Sequence, residues 1–322
     1  VVVDVATGEV LAMVNSPSFN PNNRRNTPVH RFRNRAITDT FEPGSTMKPL
    51  AVLSALEFGT ATLDTIVDTS PGTMRIGGSW VRDPNNYKKL DLTGIIQKSS
   101  NMGVAKLVLE VPQQHVLGLY NSMGLGEETG LGLAGESSGI FSYRQRWSDF
   151  ERATFSYGYG LSVTAVQLAR AYVTMANGGI NRPLSIIKNM EPYAGQRAIK
   201  QQYALAMLEM MEANIGPGGT ATRAQVQGYR VGGKTGTARK AIAGGYGDDY
   251  IASFVGLGPI SDPKIVTVVV INEPAGDVYH GGEIAAPVFA SIMGASLQLL
   301  NVTPDANTGP ALISRNGGRN GN

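Results

Sequence analysis

The 322-residue chain contains no cysteine, so disulfides, thiolate metal sites and a cysteine nucleophile are all excluded. Histidine is nearly as scarce. His30, His115 and His280 are the only three, and their spacing makes no short-range ligand motif, which argues against a zinc enzyme and leaves no metal or other cofactor to expect. Long apolar runs are lacking too: the longest, Ile265 to Ile271, falls far short of the about 20 residues that a membrane-crossing helix needs. Charged residues make up only 16% of the chain, with a net charge of +3. The one basic cluster, Arg24, Arg25, Arg31, Arg33 and Arg35, is interleaved with Asn and Thr. It reads as a solvated loop face, not as a nucleic-acid or membrane patch.

Glycine is abundant, at 40 residues, which predicts many tight turns and close backbone approaches. Val1–Val5 and Glu9–Val14 flank Ala6-Thr7-Gly8 as a β-hairpin would. The chain opens on Val1-Val2-Val3, which reads as a fragment entering on a strand, with any anchor or leader expected upstream. A helix is predicted from Pro43-Gly44-Ser45 onward. Its apolar residues cover nearly every side, so it should be buried, and Pro49 is tolerable only in the first turn. The stretch from Leu90 to Ala213 reads as mostly helical, with a helix stop at Asn177-Gly178-Gly179. Strands are predicted at Tyr229–Thr237, Tyr250–Leu257 and Lys264–Ile271, then a closing helix at Ile284–Leu300. Strands at both ends with helices between predict an α+β fold whose antiparallel sheet brings the ends together. Residues 303–322, rich in Gly, Asn and Pro, read as a flexible tail after a domain spanning 1–302.

Three short motifs occur in order: Ser45-Thr46-Met47-Lys48, Ser99-Ser100-Asn101 and Lys234-Thr235-Gly236. Together S-x-x-K, S-x-N and K-T-G form the set associated with penicillin-binding proteins and serine β-lactamases. The chemistry follows from the residue types. A serine hydroxyl is a poor nucleophile until an adjacent base takes its proton. Positions i and i+3 of a helix share a face, so Lys48 can reach Ser45. A lysine serves as a base near neutral pH only when burial and a neighbouring cation lower its pKa; the buried helix supplies the first and Lys234 the second. Ser99 and Asn101, on a turn between helices, would relay protons and hold the base. A strand through Lys234-Thr235-Gly236-Thr237 would offer hydroxyls and a cation to a substrate carboxylate, with Gly236 permitting close backbone approach. S-x-x-K also occurs at Ser185–Lys188 and Ser261–Lys264, and S-x-N at Ser18–Asn20 and Ser314–Asn316. Only Ser45, Ser99 and Lys234 give the required order with a nucleophile opening a buried helix.

Longer segments extend the match. Asp4–Met13, Phe41–Ser45, Gly135–Gly139, Tyr157–Thr164, Gly233–Ala238 and Ala285–Phe289 make the chain resemble class B penicillin-binding proteins of the division-specific, penicillin-binding protein 3 type, over about residues 1 to 300. The resemblance implies the penicillin-binding protein/serine β-lactamase-like fold, an antiparallel sheet flanked by helices plus a mainly helical subdomain. It implies a peptidoglycan D,D-transpeptidase, in which Ser45 attacks the penultimate D-Ala carbonyl of a stem peptide and Lys48 is the base. Ser99, Asn101 and Lys234 would form the proton-relay shell, and the N–H groups of Ser45 and Thr237 the oxyanion hole. Thr235 and Thr237 would hold the terminal carboxylate, while Tyr159, Arg239, Tyr279, His280 and Gly281 would line the cleft. The family often carries a second aromatic where His280 stands. The implied partners are stem peptides ending in D-Ala-D-Ala, β-lactams, a membrane glycan polymerase and other division proteins, at the periplasmic face of the inner membrane. The family's anchor and pedestal domain are not in this sequence.

A β-lactamase shares the motifs but needs a water-positioning glutamate, and Glu127, Glu128, Glu136 and Glu151 lack its E-x-x-L-N context. A D,D-carboxypeptidase or a non-catalytic sensor of the same fold stays open. Gly228–Thr235 also satisfies the nucleotide-binding pattern G-x-x-x-x-G-K-T, but Gly236, Gly244, Gly245 and Gly247 follow where a helix is required.

Overall fold

The structure, a computed structural model, describes residues 1–141, 144–188, 191–242 and 244–306. β1 (Val2–Asp4) and β2 (Val10–Ala12) open the chain as the predicted hairpin, and its turn is tied by Thr7, whose N–H and hydroxyl both donate to Asp4. After the short α1 (Arg35–Thr38), a 3₁₀ turn over Gly44–Met47 leads into α2 (Lys48–Phe58). There follow β3 (Ile66–Asp68), β4 (Thr73–Ile76), β5 (Ser79–Arg82) and β6 (Lys89–Asp91), then α3 (Leu92–Gln97), α4 (Asn101–Leu109) and α5 (Gln113–Ser122). Next come α6 (Asp149–Ser156), α7 (Ala165–Ala176), β7 (Ile180–Asn181), β8 (Gln196–Arg197) and α8 (Gln201–Ile215). The chain closes through β9 (Gly232–Ile242), β10 (Gly245–Gly258), β11 (Ile265–Asn272) and α9 (Gly281–Leu299).

The five-stranded sheet runs β2-β1-β11-β10-β9, and every pairing in it is antiparallel. Both chain ends therefore meet in one sheet, as an α+β fold requires. Alternation along the strands divides the core. Phe254, Ile265 and Val269 face Ala285, Ala286, Phe289 and Met293 of α9. Val255, Leu257, Val266 and Val268 face the larger helical cluster on the other side. Such a sheet, buried on both faces, reads as near-continuous apolar runs. Among the described residues α9 is the one helix long and apolar enough to cross a membrane by length and composition; here one face of it packs against the sheet.

The helix expected at Pro43–Ser45 begins later, and Pro49 is the reason. Proline has no N–H to donate back to the Ser45 carbonyl. The Lys48 N–H makes that bond instead, closing an i→i−3 turn. Ser45 thus sits in a 3₁₀ turn and Pro49 in the first turn of α2. From Lys48 to Leu56 every residue of α2 is buried. The turn is braced from below by the fully buried Tyr172 of α7, whose hydroxyl donates to the Thr46 carbonyl at 2.8 Å.

Beyond α9, Asp305 accepts hydrogen bonds from the Arg230 N–H and the Ser261 hydroxyl. The rest of the expected tail, 307–322, lies outside the described residues. Removing the brace under the Gly44–Met47 turn should be measurable. Tyr172→Phe leaves the Thr46 carbonyl unpaired in the core and should lower unfolding free energy by about 1–3 kcal/mol, read by urea denaturation.

Candidate active site

Three segments far apart in sequence converge on one cleft: the Gly44–Met47 turn, the linker between α3 and α4, and strand β9. A cleft of about 470 Å³ opens between them, lined by Ser45, Ser99, Thr235, Thr237 and His280, with Thr220, Thr222, Arg223, Gly282 and Glu283. The fit of strand to turn depends on Gly236. A Cβ there would lie 2.3 Å from the Ser253 hydroxyl oxygen and 2.9 Å from the Pro43 carbonyl, so any side chain would push β9 off the Gly44–Met47 turn.

Ser99 occupies the α3–α4 linker with φ of +54°, a left-handed conformation that costs a non-glycine residue about 1–2 kcal/mol. Its surroundings hold it there. The Ser99 and Ser100 N–H groups donate back to Ile96 and Ile95. Ser100 then caps α4 by accepting from the Gly103 N–H at 2.8 Å. Beneath the linker, the buried Asp83 carboxylate accepts from the Ser100 hydroxyl at 2.6 Å and from the N–H groups of Asn101 and Met102. A carboxylate at a helix start satisfies otherwise unpaired donors and complements the helix dipole.

Lys48 is buried at the centre. Its Nζ donates to the Ser99 carbonyl and, at 3.0 Å, to the Ser99 hydroxyl oxygen. Burial holds its pKa well below the usual lysine range, the charge of Lys234 lowers it further, and Asp83 opposes both. Lys234, also buried, is lowered by desolvation to about 7. Its nearest acceptors are long, the Thr235 carbonyl at 3.5 Å and hydroxyl at 3.4 Å. The site therefore holds two amines on which the dry surroundings disfavour charge, which is what a lysine base requires.

Strand alternation points Thr235 and Thr237 to the same side of β9. The Thr237 hydroxyl accepts from the Gly281 N–H at 3.0 Å, and the Thr235 and Thr220 hydroxyls are 3.1 Å apart. Asn214 ties this wall together, donating to the Gly233 carbonyl while accepting from Thr220. Gly281 packs where a Cβ would meet the Gly236 and Ser253 carbonyls, each at 2.3 Å.

Not every predicted residue joins the group. The Asn101 amide donates to the Arg82 carbonyl at 2.9 Å, not to Lys48. Tyr159, Arg239 and Tyr279 do not line the cleft but form an aromatic cluster beside it. Tyr250 stacks on Tyr279 at 4.0 Å, Arg239 lies over Tyr250, and Tyr159 meets Tyr246 edge-on. His280 belongs to both, lining the cleft while its ring tilts on Tyr279. Sequence reasoning missed Asp83, Asn214, Thr220, Thr222, Arg223 and Glu283. None lies in a short motif, and only the fold brings them to the site.

Comparison with known proteins bears on this geometry. The family described as penicillin binding protein transpeptidase domain matches residues 1–294. The chain belongs to the penicillin-binding protein transpeptidase domain family. It is 50% identical over 309 residues to the peptidoglycan D,D-transpeptidase FtsI of Escherichia coli strain K12, covering 96% of this chain and 52% of that protein. The probable peptidoglycan D,D-transpeptidase PenA of Neisseria gonorrhoeae is 40% identical over 94% of this chain and 52% of its own length. The chain thus spans about half the length of these curated relatives. A solved structure of the transpeptidase domain of Burkholderia pseudomallei penicillin-binding protein 3 superposes with a TM-score of 0.86 at 40% identity, covering 95% of this chain and 88% of that one.

Membership in this family agrees with the constellation and disposes of the nucleotide-binding reading, since Lys234 and Thr235 lie inside strand β9 with no helix following them. Three of the carboxylates weighed for a β-lactamase are engaged elsewhere. Glu127 pairs with Arg170, Glu136 accepts from Thr129, and Glu151 caps α6.

The buried amines carry a stability signature. A lysine whose folded pKa is lowered binds fewer protons when folded than when unfolded, so stability rises with pH between the two values. For Lys234 that window runs from about 7 to the ordinary 10.5. Between pH 7 and 9 the wild type should gain about 2 kcal/mol more unfolding free energy than Lys234→Met, checked by urea denaturation at both pH values.

Proposed function

We propose that this domain is a peptidoglycan D,D-transpeptidase acting through an acyl-enzyme on Ser45. The carrying observation is the buried Lys48, held below the ordinary lysine range and bonded to Ser99 in the wall of a cleft that also holds Ser45. In this reading neutral Lys48 takes the Ser45 proton as the hydroxyl oxygen attacks the penultimate D-Ala carbonyl. The N–H groups of Ser45 and Thr237 meet the developing oxyanion. Ser99 accepts from Lys48, so its own hydroxyl proton is free for the departing D-Ala nitrogen, with Lys48 replenishing it. An amine from a second stem peptide then attacks the ester, and the same groups run in reverse.

Thr235 and Thr237, side by side on β9, receive the terminal carboxylate of the donor, and a β-lactam enters as its mimic. FtsI and PenA carry peptidoglycan D,D-transpeptidase in their names, which supports the reaction class. On the same likeness the full-length protein works in septal wall synthesis at the outer face of the inner membrane, beside a glycan polymerase and other division proteins. Asp83, which clamps Ser100 and Asn101, acts as a positioning group for the Ser99 linker.

Intact-mass spectrometry after mixing with benzylpenicillin tests the reaction. The wild type should gain one covalent adduct that persists for hours, and Ser45→Ala should gain none. A fleeting adduct with drug hydrolysis would shift the reading to β-lactamase. Folded wild-type protein that takes up no drug would overturn the acyl-enzyme reading and leave the non-catalytic sensor.

A further inference from the structure

The cleft holds a charged group to which the reaction described above gives no role. Arg223 sits in the short 3₁₀ turn Thr222–Ala224, between α8 and β9. Its neighbours Ala221 and Ala224 are fully buried in the cluster under α9, which pins the turn. Thr222 and Arg223 are exposed and line the cleft together with Ser45, Thr235 and Thr237. The turn is also tied to the substrate strand, through Asn214 and through the Thr220–Thr235 hydroxyl contact.

The Arg223 guanidinium has no acidic partner. Its Nη1 donates to the Glu283 backbone carbonyl at 3.4 Å, and among the described residues no carboxylate lies within ion-pair distance. Glu283 lines the same cleft, yet Arg223 takes its main-chain oxygen and leaves most of its own donors unused. A planar fork of unused N–H groups, in a cleft that the Thr235 and Thr237 hydroxyls also line, is well shaped for a carboxylate.

Charge points the same way. Burial lowers Lys234 to about 7 and Lys48 further below its ordinary range. At neutral pH Lys234 carries its charge only in part, and burial disfavours the charged form of Lys48, whereas an arginine guanidinium keeps its charge throughout the physiological range. A substrate carboxylate in this cleft is best met by a permanent countercharge, and Arg223 is the arginine that lines it.

We infer that Arg223 is a substrate-binding residue that anchors the terminal carboxylate of the donor peptide, and of β-lactams, opposite the hydroxyls of Thr235 and Thr237. The inference rests on the transpeptidase reading above and adds to it the residue that selects for a free carboxylate.

The test compares acylation of the wild type, Arg223→Gln and Arg223→Lys by benzylpenicillin and by its methyl ester, in which the carboxylate charge is removed. The wild type should react with the acid much faster than with the ester. Arg223→Gln should lose about tenfold or more of the second-order rate constant for the acid. The loss should fall on half-saturation and not on the limiting rate, and the ester rate should not change. Arg223→Lys should restore part of the preference. As Arg223 is exposed, the unfolding midpoint should stay close to that of the wild type. An unchanged acid-over-ester ratio in Arg223→Gln overturns the inference, as does an equal loss for acid and ester, which marks a structural role. A wild type that reacts with neither compound overturns the transpeptidase reading itself, and the role of Arg223 with it.

Discussion

The contact between Lys48 and Ser99 is the one on which the rest of this domain is built. A primary amine is placed where water cannot reach it, so its charged form is disfavoured, and it is given a carbonyl and a hydroxyl oxygen to donate to. A buried polar group without partners would cost several kcal/mol. Disfavouring the charged form and supplying two acceptors avoids most of that cost, and a neutral amine there would have a lone pair for a proton. Charge on Lys234 lowers the pKa of the same group through space, and the Asp83 carboxylate opposes it.

Geometry around that amine is enforced by backbone more than by side chains. Pro49 converts the start of α2 into a 3₁₀ turn, which presents Ser45 and Lys48 on one face. Gly236 lets β9 lie against that turn, and Gly281 lets the start of α9 lie against β9. The Asp83 carboxylate fixes the Ser99 linker from below. Each device removes freedom from the side chains gathered at the cleft, which is how a site would lower the entropic cost of the proposed reaction.

Much of this was legible in the amino-acid sequence. The hairpin at Thr7, the buried helix after Ser45, the three closing strands and the last helix follow from periodicity and punctuation by Gly and Pro. The motif residues Ser45, Lys48, Ser99 and Lys234 could be ordered because a reaction needs those chemistries together. The 3₁₀ start does not follow from apolar periodicity, since it comes from the N–H that Pro49 lacks for the Ser45 carbonyl and that Lys48 supplies instead. Asp83 and Arg223 were not legible at all: an Asp before Pro84 and an Arg in a polar stretch look like ordinary surface, and only tertiary packing turns one beneath the linker and the other into the cleft. Asn101 shows the converse, since its motif position suggests contact with the base while its amide goes to the Arg82 carbonyl.

The most direct measurement is the titration of Lys48 itself in the folded protein. With ¹³C-labelled lysine, the Lys48 ε-carbon resonance, assigned by its loss in Lys48→Arg, can be followed from pH 5 to 11. A midpoint far below the ordinary lysine value of 10.5 is the predicted result, since the site then holds a neutral amine at the pH of reaction. A midpoint at the ordinary value in folded protein would contradict the account, because a charged Lys48 cannot take the proton from Ser45.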